Sequence, residues 1–159
     1  MKLSKALTTL KDLKSKISAA RKFVTQSVIH YAEDTPEYDY KKELDNYLEL
    51  DDQIIRLKAN IQKTNILTKV EYLGSECTLA ELILINAKIR SDLNLYQELL
   101  GHKINRSRSL LSGEEPKQVY AKDYDKLQIR AIIEKLESAK LELEGVMASA
   151  NLRTDLVES

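Results

Sequence analysis

Apolar residues return along the start of the chain in steps of four and three. The series is Leu3, Leu7, Leu10, Ile17, Val24, Val28 and Tyr31, with Leu13 widening the stripe. Such recurrence marks one face of an α-helix, and it predicts a helix over about 2–30. Lys14 and Arg21 fall on the same seam, which departs from a clean leucine zipper. The pattern stops in an acidic stretch from Ala32 to Asp39, where Pro36 disfavours a helical Thr35. The connection is short, so a second helix over about 40–64 is expected to turn back antiparallel on the first. Its stripe runs through Leu44, Tyr47, Leu48, Asp51, Ile54, Ile55, Lys58 and Ile61, with polar interruptions.

Beyond Thr68 the period changes. Val70 and Tyr72 alternate with polar residues and Gly74 suits a turn, so a short strand or hairpin is expected there. Thr78-Leu-Ala-Glu81 fits a capping box, in which the hydroxyl takes the Glu81 amide and the carboxylate reaches back. The third helix is expected over about 79–104 through Leu82, Ile83, Asn86, Ile89, Leu93, Tyr96, Leu100 and Ile104. Residues 105–122 are irregular and hold a second β-like run, Gln118 to Ala121, which could pair with the first. Asp123 is the expected N-cap of a fourth helix over about 124–150. Gly145 lies inside that helix, where it costs about 1 kcal/mol against Ala unless something packs closely on it. These elements predict an all-α fold in one domain, 1–159. The architecture expected is an antiparallel four-helix bundle of two long helical hairpins, with a small β-hairpin or two short strands at the loops.

Composition supports helices and removes several function classes. The 159 residues hold 25 basic and 25 acidic side chains, so no global field draws the chain to nucleic acid. Four Gly, two Pro and no Trp do not suit a turn-rich β protein. Cys77 is the only cysteine, which excludes an intrachain disulfide and a Cys-based zinc site and suits a reducing, cytoplasmic compartment. Lys11, Asp12 and Lys14 cut short any signal-like apolar run at the start, and Leu79 to Ile85 is too short to span a bilayer. No stable membrane insertion is expected.

Phosphate-binding loops, nucleophile elbows and zinc-protease motifs are absent from the sequence. A di-metal carboxylate bundle needs Glu-x-x-His, whereas Glu98 and His102 are four apart, so no metal and no cofactor are expected. One internal echo does stand out. Leu57, Ile61, Asn65 and Thr68 recur in type and spacing as Leu143, Met147, Asn151 and Thr154. Asn tolerates the left-handed conformation that ends helices, so the echo reads either as two similar C-caps or as one pseudo-symmetric polar site. In an up-down-up-down bundle the second and fourth helices end at the same pole, which would bring Asn65, Thr68, Asn151 and Thr154 together. Arg106 and Arg108, beside Lys103, suit planar recognition of a phosphate or carboxylate, or simply complement a helix C-terminus.

Several of these residues also carry a resemblance. Met1-Lys-Leu3 with Ala6-Leu7 and Asp12-Leu13, Lys63-Thr-Asn65 followed by Thr68, and Gly74 before Thr78-Leu79 occur in order. Asp123 with Leu127-Gln128, and Leu143-Glu144 leading to Met147 and Asn151, complete the series. In these features the chain resembles the septicolysin-like family of bacterial proteins, which takes its name from a cytolysin. It departs from that pattern at Lys63 and Leu152, where the family tends to have Arg and Trp, and at Ile85 to Lys88, where the family carries an Arg-Asp pair. The resemblance implies the helical fold, and its name implies a lytic activity without established catalytic residues.

Three functional expectations follow. The first is a non-enzymatic protein that self-associates as a homo-oligomer, because the wide stripes on the first two helices exceed what one partner can cover. The second is an oligomeric binder of a small anionic ligand such as a nucleotide, held by Asn65, Thr68, Asn151 and Thr154 or by Arg106 and Arg108. The third is a pore-forming cytolysin, which would require amphipathic helices to refold extensively.

Overall fold

The computed structural model describes residues 1–29, 31, 38–101 and 119–158. Within them the chain is mostly helical, in the order α1 (Leu3–Gln26), α2 (Tyr40–Leu67), β1 (Lys69–Tyr72), β2 (Ser75–Thr78), α3 (Leu79–Gly101) and α4 (Lys126–Arg153). It divides into two compact units, Met1–Glu81 with Val146–Ser159, and Leu82–Gly145.

In the first unit α1 and α2 pack as an antiparallel hairpin. Leu3 and Ala6 at the start of α1 share a core with Ile61 near the end of α2, and Leu10 and Leu57 pack against it. At the other end Phe23 meets Tyr38 with ring centroids 5.0 Å apart. The inward face of α1 is Leu3, Ala6, Leu10, Leu13, Ile17, Ala20, Val24 and Ser27, in strictly alternating steps of three and four. The sequence stripe through Leu7, Lys14, Arg21 and Val28 therefore lies one residue out of phase, since all four are exposed. Alanine is too weakly apolar to advertise a seam, yet Ala6 and Ala20 are buried and let a neighbouring backbone come close. A similar shift occurs on α2. Its inward face is Tyr47, Leu50, Ile54, Leu57, Ile61, Thr64 and Thr68, so Lys58 is exposed and Asp51 only flanks the seam. The polar interruptions expected there belong to the neighbouring face.

Asp39 starts α2, its carboxylate accepting the amides of Lys41 at 2.9 Å and Lys42 at 3.2 Å. After Leu67 the chain turns through a local antiparallel hairpin that pairs Lys69 with Thr78 and Tyr72 with Ser75. Val70 and Tyr72 point inward and Lys69 and Glu71 outward, the alternation a half-buried strand requires. Val119 to Ala121 form no strand, so the expected pairing of two distant β-like runs gives way to this hairpin. Its turn holds both Leu73 and Gly74 at positive φ, 51° and 75°. That geometry matches the right-handed twist of the strands, but Leu is a poor residue for it.

The capping box at α3 forms as expected. Thr78 donates its amide to Glu81 at 2.6 Å, and the Glu81 amide returns to the Thr78 hydroxyl at 3.2 Å. At α4 the cap is Asp125 and not the expected Asp123, with its carboxylate 2.8 Å from the Leu127 amide. Asp125 is the residue immediately before the helix, so its short side chain reaches the open amides of the first turn. In the second unit Tyr124 donates to the Leu99 carbonyl at 2.7 Å and Arg90 reaches Glu144 at 2.8 Å, so α3 and α4 run antiparallel. Both helices keep the alternating step of three and four: Leu82, Asn86, Ile89, Leu93 and Tyr96 on α3, and Ile129, Ile132, Leu136, Ala139 and Leu143 on α4.

Candidate functional site

The internal echo is a structural device with a different pivot from the one expected. Asn65 lies inside α2 and Asn151 inside α4, and neither residue has a positive φ. The left-handed Asn cap is thus overturned: the Thr ends each helix, as Thr68 after α2 and Thr154 after α4. Each Thr amide closes the last helical turn, Thr68 onto Thr64 and Thr154 onto Ala150, both at 2.9 Å. Each Thr carbonyl then accepts the amide of a leucine that opens another helix. Thr68 takes Leu79 of α3 at 3.0 Å, and Thr154 takes Leu3 of α1 at 2.9 Å. The first amides of a helix have no partner inside it, so each of these bonds satisfies an orphan donor while a fully buried side chain docks beside it. Burying Leu3 or Leu79 stabilises the unit by roughly 1.5–3 kcal/mol each.

These two junctions meet in one core, because Leu3, Leu79, Ile61, Ala150 and Leu156 belong to the same buried cluster. The ends of α2 and α4 therefore lie together at one pole of the first unit. The chain termini close it. Leu156 donates its amide to the Met1 carbonyl at 2.7 Å, and Lys2 bonds the Arg153 carbonyl and the Asp155 carboxylate, each at 2.9 Å. The Lys2 ammonium holds the Asp155 carboxyl below its ordinary range.

Thr64 is the buried polar centre of this end, and sequence reasoning missed it. At 0% exposure, its hydroxyl donates to the Asn60 carbonyl at 2.7 Å and accepts the Val157 amide at 2.9 Å. Its own carbonyl also receives the Thr68 hydroxyl at 2.8 Å. The available signal was its place on the inward face, four residues before Thr68, where a hydroxyl can bond back along a helix.

Asn65, Thr68, Asn151 and Thr154 are all half-buried at this pole, and the two threonines are spent on structure through their backbones. Neither Asn side chain hydrogen-bonds another described residue. Arg106 and Arg108 lie outside the described residues. Cys77 is half-buried, with its thiol turned 3.9 Å from the Ser75 carbonyl. Among the described residues no cluster of His, Cys, Asp and Glu could hold a metal ion, and no helix is long and apolar enough to cross a membrane.

A second polar group sits between α3 and α4. Arg90 chiefly holds the Glu144 carboxyl below its ordinary range, helped by Lys140 and the Asn86 amide. Asn86 occupies an inward step of α3, and its carbonyl oxygen is buried without a hydrogen bond. A polar residue on an apolar seam suits fixing register better than reacting with a substrate.

No curated protein matches the chain. It is similar over 99% of its length to a solved structure described as a functionally unknown conserved protein from Corynebacterium diphtheriae, of which it covers 99%. The TM-score is 0.82 and the identity 21%, a likeness that shows the fold alone. Residues 10–156 match DUF6847, a family of unknown function, and the chain belongs to that family.

Proposed function

We propose that this chain is a non-enzymatic helical protein of a reducing compartment that works as a homo-oligomer, with its four helices arranged as an antiparallel bundle. The observation that carries this reading is a second, outward face on α4. Leu127, Ala131, Glu134, Ser138, Leu141, Gly145, Ala148 and Leu152 step by four and three along the exposed side, and only Glu134 among them is charged. A solvated helix face is normally dominated by charged and polar residues. A weaker companion runs along α2 as Leu48, Asp52, Ile55, Ala59, Gln62 and Ile66, all exposed. A row of exposed apolar side chains along one helix face fits an association site. The polar pole supports the reading from the other side, since its threonines and buried hydroxyl are engaged in closing the fold.

Native mass spectrometry of the purified protein tests this. The expected result is a defined oligomer of bare chains, with a melting temperature that rises with concentration. A bare monomer, with a melt constant over a hundredfold dilution, overturns it. The alternative is a small anionic ligand at Asn65 and Asn151, supported by their half-buried, unbonded amides; it would appear as extra mass on the assembly. The lytic activity named by the septicolysin-like resemblance ranks third, and leakage of dye from anionic liposomes is the measurement that would raise it.

A further inference from the structure

We propose that α4 pairs antiparallel with α4 of a second copy about a two-fold axis that passes between Ser138 and Leu141. This deepens the self-association reading and rests on it. Counted outward from that midpoint, the exposed face opposes Ser138 to Leu141, Glu134 to Gly145, Ala131 to Ala148 and Leu127 to Leu152. The outer layers match in kind, leucine on leucine and alanine on alanine, as a self-complementary interface requires. Leu127, Leu141 and Leu152 are 73%, 75% and 65% exposed, so none is covered by packing among the described residues.

The charged residue decides between directions. A parallel, in-register pair would stack Glu134 on Glu134 inside the seam and set Gly145 against Gly145, leaving a repulsive layer and an empty one. The antiparallel pair sets Glu134 against Gly145, whose missing side chain leaves the carboxylate room to reach water. A β-carbon built on Gly145 meets nothing within 4 Å in its own chain. Glycine is unfavourable in mid-helix, and no packing among the described residues accounts for it here. The flanks agree. Lys135 comes opposite Glu142 of the second copy, twice by symmetry, and both residues are exposed. On the other flank Glu137 approaches Glu144, whose charge Arg90 of its own chain already pairs at 2.8 Å.

Cysteine mapping tests the geometry. In a Cys77→Ser background, Ala131→Cys and Ala148→Cys chains are prepared separately, mixed and oxidised. The antiparallel pair predicts a disulfide between unlike chains only, because like positions lie about 26 Å apart along the axis at 1.5 Å per residue. Self-crosslinking of each single variant would mean a parallel pair and would overturn the proposal. An assembly that forms but gives no crosslink overturns the α4 pairing and leaves self-association standing, whereas a monomer removes both. Leu141→Asp supplies an independent arm. It should weaken association at least tenfold with unchanged far-ultraviolet circular dichroism. If Ile55→Asp on α2 disperses the assembly and Leu141→Asp does not, the seam lies on α2 and the proposal fails.

Discussion

Replacing Thr64 by Val tests whether one hydroxyl closes the shared pole. Valine keeps the shape and the β-branch and removes only the oxygen, so the packing of this fully buried side chain is nearly conserved. Two hydrogen bonds are lost, but they differ in consequence. The Asn60 carbonyl still accepts the Thr64 amide as an ordinary helical bond, so it is not orphaned. The Val157 amide loses its partner at 2.9 Å and lies half-buried under the termini. Leaving such a donor unmade costs about 1–3 kcal/mol, while the added methyl recovers up to ~0.8 kcal/mol. The net loss is roughly 1–2 kcal/mol, or about 2–8 °C in the melting temperature for a chain of this size. Urea denaturation at fixed protein concentration measures it. A chain ending at Leu156 has no Val157 amide to orphan, and there Thr64→Val should be neutral or slightly stabilising. Equal destabilisation in both chains, or no effect in the full one, would refute the assignment of Thr64 as the anchor of the C-terminal segment.

Other outcomes follow from the same geometry. Leu73→Asn should stabilise the β-hairpin by about 1 kcal/mol, since Asn accepts the positive φ that Leu resists; an unchanged urea midpoint would count against strain at this turn. Glu81 has its carboxyl lowered below the ordinary 4.5, first by the Thr78 amide and then by its hydroxyl. Because the folded value is depressed, its contribution is present above pH 4.5 and is lost as pH falls through the lower folded value, so Glu81→Gln should flatten the stability profile on the acid side. Asn86→Leu should raise stability by about 1–2 kcal/mol by removing a buried carbonyl without a partner, with broader amide resonances in the second unit if register loosens. Gly145→Ala should stabilise the dilute chain by up to ~1 kcal/mol yet weaken association, a split that equal gains at low and high concentration would contradict.

Helix positions were legible because the period of the pattern is robust to its phase. All four helices appear within a few residues of their expected spans, and the capping box at Thr78 and Glu81 forms as the spacing demands. The phase was harder to see. Leu7 and Val28 outweigh Ala6 and Ser27 in hydrophobicity, although Ala6 is the buried member of its pair. Burial there follows geometry, because a helix pressed against another needs small residues at regular steps. The Asn-x-x-Thr echo was visible as a repeat, but its chemistry runs through backbone carbonyls of Thr68 and Thr154, which no side-chain reasoning can supply. Thr64 was hidden for a related reason, since its partner, the Val157 amide, lies at the far end of the chain.

The two outer faces explain why the division between fold and function is so uneven along the sequence. Closing the first unit consumes two of the candidate polar residues, Thr68 and Thr154, together with the Thr64 hydroxyl and the Lys2–Asp155 pair. Apolar side chains also remain uncovered, on the exposed sides of α2 and α4, with the same step of four and three that the core uses. Folding of one chain cannot reward an outward face. A mid-helix glycine with open space around it, three leucines left in water and only one charge in eight positions all weaken an isolated chain or do nothing for it. In the proposed α4 pair each would become favourable, because the glycine would admit a carboxylate and the leucines would leave water together. On the proposed pairing, selection acting on an assembly, and not on the single chain, would account for that face in physical terms.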